Sequence, residues 1–172
     1  MEIRTSKNIN NFPDSKTFGF CFEGVALVRR SKFCSFARYV VRFPRMSKQF
    51  FEPEKLTVTV DRVVYRPEVD APLDRPYCFA YFISIHNDTE IPVTIHGRKW
   101  VVTNSRGEIT AVEGDGVVGE HPTIEPGEKF SYNSFHLLDT KAAVAEGSYI
   151  GVDANGRKVL TRIPLFKMTV PK

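Results

Sequence analysis

From Phe50 to the end of the chain, β-prone stretches are cut off by turn signals every ~8 to 15 residues, and no 3.6-residue apolar period lasts beyond about two turns. Helices are therefore largely excluded, and the chain must bury its apolar side chains between short strands. Leu56, Val58 and Val60 alternate with Thr57, Thr59 and Asp61, and the phase slips at Val63 and Val64, which predicts a bulge or bend. In YCFAYFISIHN (Tyr77 to Asn87), Phe79, Tyr81, Ile83 and Ile85 lie on one face and Cys78, Ala80, Phe82 and Ser84 on the other. Apolar character on both faces predicts a central strand.

The short link DTEIP leads into VTIHGRKWVVTN (Val93 to Asn104), where Gly97 predicts a bulge and Trp100 and Val102 turn inward. The two segments are expected to form a hairpin. Turns are predicted at Ser105 to Gly107, at Pro126–Gly127 and at Asp153 to Gly156. Phe130 to Leu138, Gly147 to Gly156 and Lys158 to Met168 supply further strands, and LDTKAAVAEG (Leu138 to Gly147) is the one piece with helical propensity. About seven antiparallel strands in an all-β sandwich is the expected fold.

Charge divides the chain. Residues 1–45 carry nine Lys and Arg against three acids, whereas residues 46–172 hold fifteen basic against seventeen acidic groups. The body is mildly acidic, so no nucleic-acid partner is expected for the folded domain. Three readings of residues 1–45 compete: a basic, acid-poor transit-like extension, an amphipathic arm for a membrane surface, or a stretch upstream of a natural start at Met46. Composition and pattern both change at Met46, which favours the third and places the domain in 46–172.

No uncharged apolar run approaches the ~20 residues that span a bilayer. Cys21, Cys34 and Cys78 are odd in number and lack C-x-x-C spacing, so neither a disulfide framework nor a zinc knuckle is expected, and a reducing, cytoplasmic setting is.

Gly114, Gly116 and Gly119 in EGDGVVGEHPTIEPGEKF have the spacing G-x-G-x-x-G. A dinucleotide fingerprint needs a helix directly after the glycines, with its N-terminus facing the pyrophosphate. Here Pro122, Pro126 and Gly127 follow, so no helix is expected, and the glycines are assigned to positive φ and close backbone approach in a loop and a bulged edge strand. A weaker reading makes the loop an anion nest, with Arg98 completing a pocket for pyrophosphate or a dinucleoside polyphosphate; the bland reading has Trp100 filling the core and Arg98 shielding or pairing across the sheet.

The R-x-W of Arg98 and Trp100, the V-x-G-x-G-V-V-G-x-x-P of Val112 to Pro122, the P-G-E of Pro126 to Glu128, and the G-S-Y of Gly147 to Tyr149 leading into D-x-x-G resemble the ApaG family. The resemblance spans about Phe51 to Phe166. It departs at Phe135, where a small residue is common. It implies a fibronectin type III-like, immunoglobulin-like sandwich with no established enzymatic activity and no cofactor. It also implies association with cobalt resistance and magnesium efflux, and, from larger proteins such as an F-box substrate receptor and a DNA polymerase delta-interacting protein, a protein-binding role.

His86, His96, His121 and His136 show no ligand spacing, and no metal site is expected even though His86 and His96 flank the expected hairpin. Ser131, Ser134, His136 and Asp139 are close in sequence but alternate between faces, so no catalytic residue is assigned. The expected function is therefore binding of a protein partner through an exposed edge strand and the loops around Gly114 to Gly119, with the phosphorylated small ligand as the alternative.

Overall fold

The computed structural model describes residues 50–172; residues 1–49 lie outside it, and with them the readings of the basic extension. The described chain is all β: β1 (Leu56–Tyr65), β2 (Tyr77–Asn87), β3 (Val93–Asn104), β4 (Ile109–Asp115), β5 (Thr123–Ile124), β6 (Glu128–Leu138), β7 (Ala142–Asp153) and β8 (Lys158–Thr169). One sheet has the order β1-β2-β6, and the other β4-β3-β7-β8 with β5 also paired to β3. All pairings are antiparallel. Seven long strands and the two-residue β5 make the expected sandwich of fibronectin type III type.

β2 is the central strand of its sheet, bonded to β1 and β6. The phase slip of β1 is a register shift between Val60 and Arg62. The side chains that face the opposite sheet, Phe79, Tyr81, Ile83 and Ile85 from β2 and Trp100 and Val102 from β3, are buried together with Tyr149, Ile163 and Met168. Tyr81 packs on Trp100 at 5.2 Å between ring centres, and His136 fits edge-on to Trp100 at 5.2 Å.

Two expectations fail. β2 and β3 are not a hairpin, for they belong to opposite sheets. The link between them is held by the buried Asn87, whose Nδ2 donates to the carbonyls of Ile91 (3.0 Å) and Ile124 (2.7 Å), while its Oδ1 accepts from the Thr89 hydroxyl (2.6 Å). A side-chain amide supplies the bonds that a tight turn would have made, and the chain crosses between layers so that both apolar faces meet.

The helical propensity of LDTKAAVAEG is also overridden, because β7 begins at Ala142 and lies between β3 and β8. Ala143 and Ala145 alternate into the core, and the two flanking ladders satisfy the backbone of a segment too short to hold a helix alone. The turns at Gly107, Gly127 and Gly156 fall where expected, each glycine at positive φ.

Candidate edge-strand binding site

The two lateral sides of the sandwich differ. On one, β1 crosses β8: the Thr161 hydroxyl donates to the Leu56 carbonyl (2.7 Å), Arg162 pairs with Glu52 (2.8 Å), and Phe51 bonds across Lys158 and Leu160. Pro164 lies within β8 and lacks a ladder donor. On the other side β4, which carries neither proline nor lysine, is bonded only to β3 among the described residues.

Its bonding parity is set at both ends. Asn104 N–H donates to the Glu108 carbonyl (3.0 Å) and Gly116 N–H to the His96 carbonyl (2.7 Å). In an antiparallel ladder alternate residues bond the same neighbour, so the even-numbered residues of β4 face β3. The N–H and C=O groups of Ile109, Ala111, Glu113 and Asp115 point away from it, toward the open edge.

The β3 register shift between Ile95 and Gly97 decides what lies beside that edge. Val93 and Ile95 face the core before the extra residue, and Trp100 and Val102 after it. One inserted residue exchanges the faces, so Arg98 shares the inward face with Trp100. Arg98 is flanked by Gly114 on β4 and Tyr149 on β7. Its Nη1 donates to the carbonyls of Asp115 (3.1 Å) and Gly116 (2.8 Å), so the guanidinium passes over Gly114 to the open edge. Arg98 has no carboxylate partner among the described residues: Glu113 pairs with Lys99 (2.7 Å), and Asp115 with His121 Nε2 (3.1 Å).

Behind Arg98, the hydroxyls of Tyr132 and Tyr149 are hydrogen-bonded across the two layers, and Tyr81 lies opposite Ser134 on the neighbouring strand. Burial, the largest influence on each, raises the proton affinity of all three tyrosines, and the Arg98 charge opposes it only weakly. These hydroxyls stay neutral, which leaves Arg98 as the charge of the site.

Each glycine of the G-x-G-x-x-G spacing has a mechanical task. Gly114 leaves room for the guanidinium. Gly116 has φ 56°, and a Cβ there would stand 2.3 Å from the Glu120 carbonyl oxygen. Val117 and Glu120 exchange both backbone bonds (2.7 and 3.1 Å) around Val118 and Gly119, whose φ of 51° and 76° are those of a type I′ turn. The chain then returns as β5 rather than as a helix. Val117 is buried in the core, whereas Val118, a β-branched residue held at positive φ, is exposed at the tip. Sequence reasoning missed Val118; its signal was a Val-Gly pair where Asn-Gly is the easy choice.

Of the residues expected to hold an anion, Arg98, Gly114 and Gly116 are brought together, and Gly119 stands at the hairpin tip. The loop turns carbonyls rather than amides toward Arg98, and the Gly116 and Val117 N–H groups are taken by His96 and Glu120.

The histidines separate. His86 bonds Thr59 (3.0 Å), His96 lies against His121 (5.6 Å between ring centres), and His136 is half-buried with its Nε2 closed off from solvent. The approach of His86 to His96 lapses with the hairpin, and among the described residues no three His, Cys, Asp or Glu groups are placed to hold a metal ion. Ser131 bonds Ser84, Ser134 lies opposite Tyr81, and Asp139 pairs with Arg106, so the two serines and the acid serve three different places. Among the described residues no helix is long and apolar enough to cross a membrane.

An antiparallel sandwich of three strands against five, closed on one lateral side and open along β4 on the other, defines the class. A family model described as the ApaG domain matches residues 67–153. The Protein ApaG of Proteus mirabilis is 38% identical over 121 residues, covering 70% of this chain and 96% of that protein, and the Protein ApaG of an Enterobacter species is 39% identical over 108 residues, covering 63% and 86%. A crystal structure described as the ApaA protein of Bordetella pertussis superposes with a TM-score of 0.63 at 35% identity, covering 70% of this chain and 98% of that one. The chain belongs to the ApaG family.

Proposed function

We propose that the protein is a non-catalytic binding module of the cytoplasm, and that β4 receives an extended segment of a protein partner as an added strand. The observation that carries this reading is the unprotected edge: Ile109, Ala111 and Glu113 of β4 present both backbone groups outward and Asp115 its N–H, its carbonyl being held by Arg98, without the proline, lysine or bulge by which sheet edges are ordinarily blocked. The exposed Ile109 and Val118, at either end of the edge, supply apolar contacts.

Ala111→Pro tests it. The Ala111 N–H faces away from β3, so proline there leaves the β3–β4 ladder bonded while removing one donor from the open edge. Partners co-purified with the full chain from native cells are expected to be lost with Ala111→Pro and kept with Thr110→Ser, whose backbone faces β3. Equal recovery with both variants would exclude strand addition at β4.

The association of the ApaG family with cobalt resistance and magnesium efflux supports a partner concerned with divalent-cation homeostasis. Cobalt sensitivity of cells lacking the protein, rescued by the wild-type chain and not by Ala111→Pro, is the expected result. The second reading, a pyrophosphate or dinucleoside polyphosphate at Arg98 and the Gly114–Gly119 loop, is favoured by the uncompensated Arg98 charge and weakened by the committed loop amides. Titration calorimetry with pyrophosphate, with heat lost in Arg98→Ala, would support it.

A further inference from the structure

Arg98 stands half-buried at the margin of the core without a counter-ion among the described residues, at the point where β4 lacks a side chain. Of the five N–H groups of a guanidinium, the two on Nη1 go to the Asp115 and Gly116 carbonyls, and those on Nε and Nη2 meet no acceptor among the described residues. The Asp115 carbonyl is one of the groups that point to the open edge, so a bond to it places the guanidinium at that edge rather than back in the sheet.

Gly114 belongs to the set bonded to β3. A residue opposite it on an added antiparallel strand would form a non-hydrogen-bonded pair, with Cα atoms about 4.5 Å apart and side chains close together. Cross-strand partners share a face, so that side chain would enter the inward row Arg98–Gly114 and meet the guanidinium.

Taking β4 as the receiving edge, we propose that the segment it accepts runs antiparallel to β4 and carries an Asp or Glu opposite Gly114, whose carboxylate is bound by Arg98. Charge complementarity selects this occupant. A carboxylate supplies two acceptors to the fork of Nε and Nη2, neutral side chains leave the cation uncompensated on a surface that strand addition dries, and Lys or Arg is repelled. Glycine at 114 then serves recognition as well as folding, since any side chain there would push the guanidinium off the edge.

The probe is a displayed library of random peptides about twelve residues long, panned on the full chain. Peptides selected on the wild type are expected to share a β-prone alternation with one fixed Asp or Glu. They should bind Arg98→Gln and Gly114→Ala at least tenfold more weakly, with Trp100 fluorescence reporting that each variant is folded. Replacing the fixed acid by its amide should cost the same tenfold on the wild type and nothing further on Arg98→Gln. Recovery of no binding peptide, a consensus without an acid, or losses that simply add in that cycle would overturn the Arg98 assignment. In the last two cases, loss of binding in Ala111→Pro would leave strand addition standing; binding indifferent to Ala111→Pro would overturn the edge itself.

Discussion

The Arg98 guanidinium lies across Gly114: a Cβ built on that glycine would stand 2.8 Å from the guanidinium carbon. Two glycines apart by two residues therefore have different neighbours, since the atom facing a Cβ at Gly116 is the fixed backbone oxygen of Glu120, at 2.3 Å.

Gly114→Ala and Gly116→Ala are accordingly expected to diverge. A flexible side chain can swing aside, so Gly114→Ala should cost under about 1 kcal/mol. Gly116→Ala forces an L side chain into positive φ against backbone and should cost about 2 kcal/mol or more. Urea unfolding of the two variants, followed by fluorescence, measures the difference; equal costs would contradict the geometry.

Val118→Asn is expected to stabilise the fold. Valine at φ 51° resists the left-handed region, while Asn-Gly is the preferred pair for a type I′ turn, so a gain of roughly 1 kcal/mol follows. The thermal midpoint should rise by a few degrees. If Val118 also contacts a partner, the same variant should bind it more weakly, a stability cost retained for function.

His136 makes stability depend on acid. Burial alone lowers its pKa from 6.5 to about 4, so the folded chain keeps the ring neutral while the unfolded chain protonates it. Above pH 6.5 the residue contributes no pH dependence. As pH falls from 6.5 toward 4, stability should drop by up to about 3 kcal/mol and then level off. Denaturation midpoints of the wild type and His136→Phe across this range should converge on acidification if Phe is the less stable at neutral pH; parallel curves would show that His136 is not the group responsible.

Trp100 is the single tryptophan, and its Nε1 is buried without an acceptor among the described residues. Trp100→Phe removes that unbonded donor along with some volume, so its cost should stay near 1 to 2 kcal/mol, whereas Trp100→Ala should cost about 3 to 5 kcal/mol. Chemical denaturation monitored by circular dichroism distinguishes the two.

Strand existence was legible wherever side chains alternate locally, as in Leu56 to Val60, or are apolar on both faces, as in β2. Pairing was not. Nothing in DTEIP states whether the next strand returns beside β2 or crosses above it, because that choice turns on where the Asn87 amide finds carbonyls, one of them from Ile124, far along the chain. The start of β7 at Ala142 was hidden for the same reason: the helical propensity of AAVAEG is local, whereas a strand bonded on both sides draws its stability from neighbours that propensity does not see.

The candidate site divides in the same way. The residues Arg98, Gly114, Gly116 and Gly119 and the absence of a helix after them follow from the sequence, because proline stops a helix wherever the chain goes and glycine is what positive φ demands. That Arg98 faces inward, crosses Gly114 and reaches an open edge without a carboxylate was decided only in the folded sandwich. It depends on one extra residue at the β3 bulge, on Lys99 and His121 taking the nearby acids, and on β4 having a neighbour on one side alone. These are relations between strands, fixed when two sheets close over a shared core, and no single stretch of residues contains them.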